Sequence, residues 1–74
     1  MTPPEYIPTN HALDQMARRR ISPNEVLEVI KNPEARYANE HRGSETLTGH
    51  PNGRFVKVII AHLSDPPVVI TVED

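Results

Sequence analysis

The chain has 74 residues, with eight basic against ten acidic side chains for a formal charge of −2, and an apolar share of 36%. That length allows one small domain with a thin core, and with two Tyr, one Phe and no Trp the interior must be built from Val, Ile and Leu. The charge excludes a whole-protein field that attracts phosphate backbones, so a nucleic-acid site must be a local patch, and the lack of cysteine excludes disulfides, thiolate metal sites and thiol nucleophiles.

No apolar run approaches the roughly 18 residues needed to span a bilayer, and Met1-Thr2-Pro3-Pro4-Glu5-Tyr6 lacks the charged-then-apolar pattern of a signal peptide. A soluble protein is expected, and the absence of cysteine fits a cytoplasmic one. Residues 1–9 carry Pro3, Pro4 and Pro8, whose fixed φ and missing N–H predict an extended arm. Residues 10–74 form the single domain.

Asn10 stands where an N-cap should, ahead of a helix from His11. At about 100° per residue, Ala12, Leu13, Met16, Ala17 and Arg20 share one broad side; His11, Gln15 and Arg18 share the opposite side, with Arg19 at its border. The stem of Arg20 should lie along the apolar edge with its charged head in water. Ser22-Pro23-Asn24-Glu25 is the clearest local signal. Ser22 can cap, Pro23 is tolerated at the first helical position, and Glu25 can close a capping box. A second helix should run from about Pro23 to Lys31 and bury Val26, Leu27, Val29 and Ile30; Asn32-Pro33 stops it. Only Ile21 and Ser22 separate the helices, which predicts a tight corner.

After Pro33 the period changes. Residues 35–38 suggest a short strand, 39–44 a polar loop, and 45–48 a second strand. His50-Pro51-Asn52-Gly53 reads as a turn, because Pro presets φ and Asn and Gly accept unusual dihedrals. Residues 54–62 and 67–72 are β-branched strands joined by Ser64-Asp65-Pro66. In the first of these, Val56, Val58 and Ile60 face one way, and Phe55, Lys57, Ile59 and Ala61 the other. In the second, Val68, Ile70 and Val72 oppose Val69 and Thr71. The all-apolar sides should pack on the helices, leaving Lys57 and Thr71 on the far face. The expected fold is α+β, two N-terminal helices on one face of a three- to four-stranded antiparallel sheet.

His11, Ala12, Leu13 and Met16, then Arg19, Ile21 and Ser22, then Val69, Ile70, Thr71 and Val72 resemble the pattern of domain of unknown function family 4258, small bacterial proteins. The resemblance spans about residues 10 to 72. It implies a fold similar to the barnase, colicin and RelE group of metal-independent ribonucleases, and a toxin-type domain in which His11 and Arg19 contact the scissile phosphate. Three positions depart from the pattern: Gln15 where an arginine is common, Arg20 in place of a corner glycine, and Glu73 in place of a closing tyrosine.

A metal-free ribonuclease needs a base for the 2′-hydroxyl, an acid for the leaving oxygen, and cations for the charge that develops on phosphorus. The candidate catalytic residues are His11, Arg19, Lys57 and Thr71, with His62 as a further imidazole, provided helix 1 lies at the sheet edge with its polar side toward the far face. Arg18, Arg20 and Arg54 are the candidate RNA contacts. Each has a plain alternative. A histidine in a first turn can simply cap or pack, the Arg18-Arg19-Arg20 run suits a helix C-terminus, where the macrodipole favours cations, and Lys57 can guard a strand against aggregation. His11, His41, His50 and His62 have no zinc-like spacing, so no metal or cofactor is expected.

Two functions follow. One is a small toxin-like endoribonuclease acting on RNA, with an antitoxin or other protein partner. The other is a non-enzymatic interaction module or homodimer, whose partner covers the Phe55, Ile59 and Val69 face or pairs with an edge strand.

Overall fold

Residues 4–39 and 43–74 are described in the computed structural model. In chain order they form β1 (Ile7–Pro8), α1 (Asn10–Arg19), α2 (Pro23–Lys31), β2 (Ala35–Asn39), β3 (Ser44–Gly49), a 3-10 turn (Pro51–Gly53), β4 (Val56–Ala61) and β5 (Val68–Glu73). The middle of the polar loop expected at 39–44, with His41, lies outside the described residues.

Thr9 rather than Asn10 caps α1. Its hydroxyl oxygen accepts from the Ala12 N–H at 3.1 Å and donates to the Ile70 carbonyl at 2.9 Å, so one side chain starts the helix and fastens it to β5. The helix ends at Arg20, which adopts left-handed dihedrals (φ 54°, ψ 44°) while its N–H closes on the Met16 carbonyl. Arg20 is therefore a corner residue and not part of the helical apolar edge. A side chain is tolerated there at a steric cost that glycine would avoid. Leu13 and Ala17 also turn outward, Leu13 at 49% exposure, because the buried stripe of α1 is only as wide as Ala12 and Met16.

The corner itself forms as its residues dictate. Ser22 accepts from the Glu25 N–H at 3.1 Å, and the Glu25 carboxylate accepts from the Ser22 N–H at 2.9 Å. This capping box sets Pro23 as the first residue of α2. Val26 and Val29 are buried, whereas Leu27 and Ile30 are half-buried. The turn before β4 uses left-handed dihedrals at Asn52 (φ 56°) and Gly53 (φ 80°), as its composition predicts.

The sheet has five strands in the order β1-β5-β4-β3-β2. The β2–β3, β3–β4 and β4–β5 pairs are antiparallel, but β1 pairs with β5 in parallel, Ile7 opposite Val68 and Pro8 opposite Val69. The arm is thus a short edge strand and the sheet is mixed. An edge is where a proline can sit in a sheet, since its missing N–H can face away from the ladder.

The predicted sidedness of β5 is overturned in part. Ile59 pairs with Thr71 but the next residue, Ile60, pairs with Val69, so the ladder is bulged and Ile70 stands out of register. One extra residue in a strand reverses the alternation beyond it. Val69 and Val72 therefore share the buried face, each at 0% exposure, while Ile70 is 36% exposed. Both helices lie on this face, α1 over β5 and α2 over β4. The core joins Ala12, Met16, Ile21, Val26 and Val29 to Leu47, Val56, Val58, Ile60, Val69 and Val72, an aliphatic interior of the kind the composition requires. Each Val, Leu, Ile or Met side chain among them contributes about 1.5–3 kcal/mol when fully buried.

Candidate functional site

Alternation from the buried residues fixes the site geometry. Val56, Val58 and Ile60 face the helices, so Lys57 and Ile59 point to the outer face, with Thr71 opposite Ile59 and Glu73 opposite Lys57. The Lys57 ammonium lies 3.8 Å from a Glu73 oxygen. Val69, expected on the uncovered face, is instead fully buried under α1.

Helix α1 runs alongside β5, from the Thr9–Ile70 contact to a contact between Arg19 and Asp74. His11 is exposed in its first turn. Arg19 is in the last turn, about 12 Å further along the axis from the helical rise of 1.5 Å per residue. Among the described residues no side-chain hydrogen bond or ion pair joins His11, Lys57 or Thr71 to Arg19. The helix packs on β5 and on the edge strand β1.

Arg19 and Arg54 do converge. Arg19 Nη1 donates to Asp74 Oδ1 at 2.9 Å, and Arg54 Nη2 donates to Asp74 Oδ2 at 2.8 Å. Gln15 Oε1 accepts from Arg19 Nε at 2.9 Å. Arg54 also donates to the backbone carbonyls of Arg20 at 2.8 Å and Arg19 at 3.0 Å, satisfying acceptors that the end of a helix leaves open. Glu25 lies 3.9 Å from Arg54. The hydrogen bond from Arg19, reinforced by Arg54, holds the Asp74 carboxyl below its usual range; that of Glu25 is held down first by the Ser22 backbone N–H. Arg18 is paired with Asp14 at 2.9 Å. Gln15 and Asp74 were not among the sequence candidates. Asp74 could have been found, because the residue two beyond buried Val72 returns to the helix side of the sheet.

Two further polar groups flank the sheet. Glu45 accepts from Arg36 at 2.8 Å and meets His62 Nδ1 at 2.9 Å, and these two bonds, His62 first, lower its pKa. His50 Nδ1 lies 2.7 Å from Glu34 beside a cleft of about 240 Å³ whose walls include Glu28, Asn32 and Pro51. Among the described residues no three His, Asp or Glu side chains are grouped as metal ligands.

Among the described residues no helix covers the outer face. It presents Tyr37, Asn39, Ser44, Thr46 and Thr48 beside Lys57 and Ile59. Asn39 bridges Ser44 at 3.1 Å and Thr46 at 2.9 Å, which is why these hydroxyls are buried without cost. At the end of the sheet, β2 is exposed from Ala35 to Ala38.

Among the described residues no helix is long and apolar enough to cross a membrane. No curated protein and no solved structure matches the chain. One family model does, over residues 9–74, and it covers both helices, the arginine pair and strands β2 to β5: the chain belongs to the family described as Domain of unknown function (DUF4258).

Proposed function

We propose that this domain is a non-enzymatic interaction module that associates with a second copy of itself through β2. The observation that carries this reading is the edge: β2 is exposed over four of its five residues and no strand lies beyond it among the described residues. Unpaired backbone N–H and C=O groups along such an edge template the addition of another strand. Antiparallel pairing of two copies about Tyr37 sets the two tyrosine rings together and Arg36 opposite Ala38, which avoids a like-charge pair. A twofold dimer is the commonest symmetric assembly.

Sedimentation equilibrium over a concentration series tests it, with Tyr37→Glu as the variant that sets two carboxylates across the twofold axis. Wild type should dimerise and Tyr37→Glu should remain monomeric while keeping a cooperative thermal transition. A wild-type chain that stays monomeric at every concentration refutes the proposal.

A second reading keeps the toxin-like, RelE-type endoribonuclease with RNA as substrate and an antitoxin as partner. The observation that favours it is the Arg19–Arg54 pair, two cations aimed at one anionic group beside the polar ridge of α1 that begins at His11. Incubation with structured and single-stranded RNA in chelator, beside His11→Ala and Lys57→Ala, separates the two readings. Cleavage by wild type that both folded variants lose supports the enzyme, and intact RNA with no growth arrest on expression removes it.

A further inference from the structure

We infer that Arg19 and Arg54 form a binding site for a phosphate group, and that Asp74 occupies this site in the free domain. The two guanidiniums come from separate parts of the chain and each takes one oxygen of the same carboxylate, at 2.9 Å and 2.8 Å. A phosphate group offers the same pattern, two unesterified oxygens that each accept a charge-assisted bond from an arginine.

The site is organised independently of its occupant. Gln15 orients the Arg19 guanidinium through Nε, and the carbonyls of Arg19 and Arg20 hold that of Arg54. Releasing Asp74 therefore leaves both cations aimed at the same point. The site is also open to solvent, with the side chains of Arg19, Arg54 and Asp74 exposed by 38%, 35% and 34%. Of the neighbouring charges, Arg18 is already paired with Asp14, and the Glu25 carboxylate lies 3.9 Å from Arg54.

Asp74 acts as a tethered competitor. Because it is delivered by the end of β5, it binds the pair at high effective concentration, and an external anion sees only the fraction of molecules in which the carboxylate has swung away. This accounts for a two-arginine cradle on a chain of net negative charge. Free phosphate and the phosphodiester of RNA share the chemistry that the site recognises. The inference is independent of pairing through β2.

The test is an NMR titration of ¹⁵N,¹³C-labelled wild type, Asp74→Asn, and Asp74→Asn/Arg19→Ala. Inorganic phosphate is one arm and a short single-stranded oligoribonucleotide the other, both at constant ionic strength set with chloride. Asp74→Asn should bind inorganic phosphate at least about tenfold more tightly than wild type, as expected when a competing occupant is removed. The shift changes should centre on the amides of Arg19, Arg20 and Arg54, and the double variant should lose them. An oligoribonucleotide that binds more tightly than phosphate assigns the source as RNA; equal affinity assigns free phosphate. In wild type, saturating phosphate should displace Asp74 and move its carboxyl ¹³C resonance, a readout that needs no substitution. Equal affinity in wild type and Asp74→Asn, undiminished binding in the double variant, or a stationary Asp74 carboxyl resonance would each overturn the inference.

Discussion

Arg54 donates from Nη1 to the backbone carbonyl of Arg20 at 2.8 Å, so a side chain from the turn before β4 closes the end of α1. The corner between the helices and the start of β4 are thereby one unit. Replacing Arg54 by Lys keeps the charge but removes the planar fork that reaches two carbonyls and Asp74 together. We expect Arg54→Lys to cost about 1–2 kcal/mol in urea unfolding, within the range for hydrogen bonds to charged groups. Lys31→Ala, which breaks only the exposed pair with Glu5, should cost under about 1 kcal/mol. Equal losses would mean that Arg54 acts only as a surface charge.

Thr9 and Asn10 differ in what they hold. Thr9 caps α1 and also bonds the Ile70 carbonyl, so Thr9→Ala should destabilise by about 1 kcal/mol or more, the usual loss of a cap. Asn10→Ala should cost under about 0.5 kcal/mol, as an exposed substitution away from special features does. Thermal unfolding of the pair checks this, and the opposite ranking would return the cap to Asn10.

The bulge in β5 assigns opposite fates to neighbours. Val69→Asp puts an unpaired charge in a fully buried position and should abolish folding, seen as loss of amide dispersion. Ile70→Asp, at a site 36% exposed, should leave a folded domain. Unbroken alternation of β5 predicts the reverse, so the two spectra decide the register.

Three carboxyls, Glu25, Glu45 and Asp74, are held below their usual range by the hydrogen bonds from Ser22, His62 and Arg19 that lead each set. A carboxyl with a depressed folded pKa contributes stability that is present above its unfolded value, about 4, and is lost as pH falls through the folded value. The melting temperature should therefore fall from the upper edge of carboxylate titration downward. The slope should be shallower in Glu25→Gln, which binds no proton in either state. An acid limb unchanged by that substitution would remove Glu25 from the set.

Features settled within a few residues could be read directly from the chain. Ser22 and Glu25 are three apart, so their capping box and the start of α2 were readable from four consecutive side chains, as was the turn at Asn52 and Gly53. The β-branched runs identified the two central strands, and the alternation of Val56, Val58 and Ile60 gave the buried side of β4. Family membership was also legible, because its pattern rests on short stretches around α1, the corner and β5. The remaining features depend on contacts between distant parts of the fold. The bulge at Ile70 arises only when β5 must match the ladder of β4 while returning Val69 and Val72 to one core, a constraint absent from the local alternation of either strand. The arm became a parallel edge strand because β5 offered a free edge to a segment some sixty residues away, Ile7 beside Val68. The meeting of Arg19 and Arg54 at Asp74 spans 55 and 20 residues. Hydrogen bonds over such separations depend on where the helix lands on the sheet, and that position is set by the packing of Ala12 and Met16 into the core rather than by the charged residues themselves.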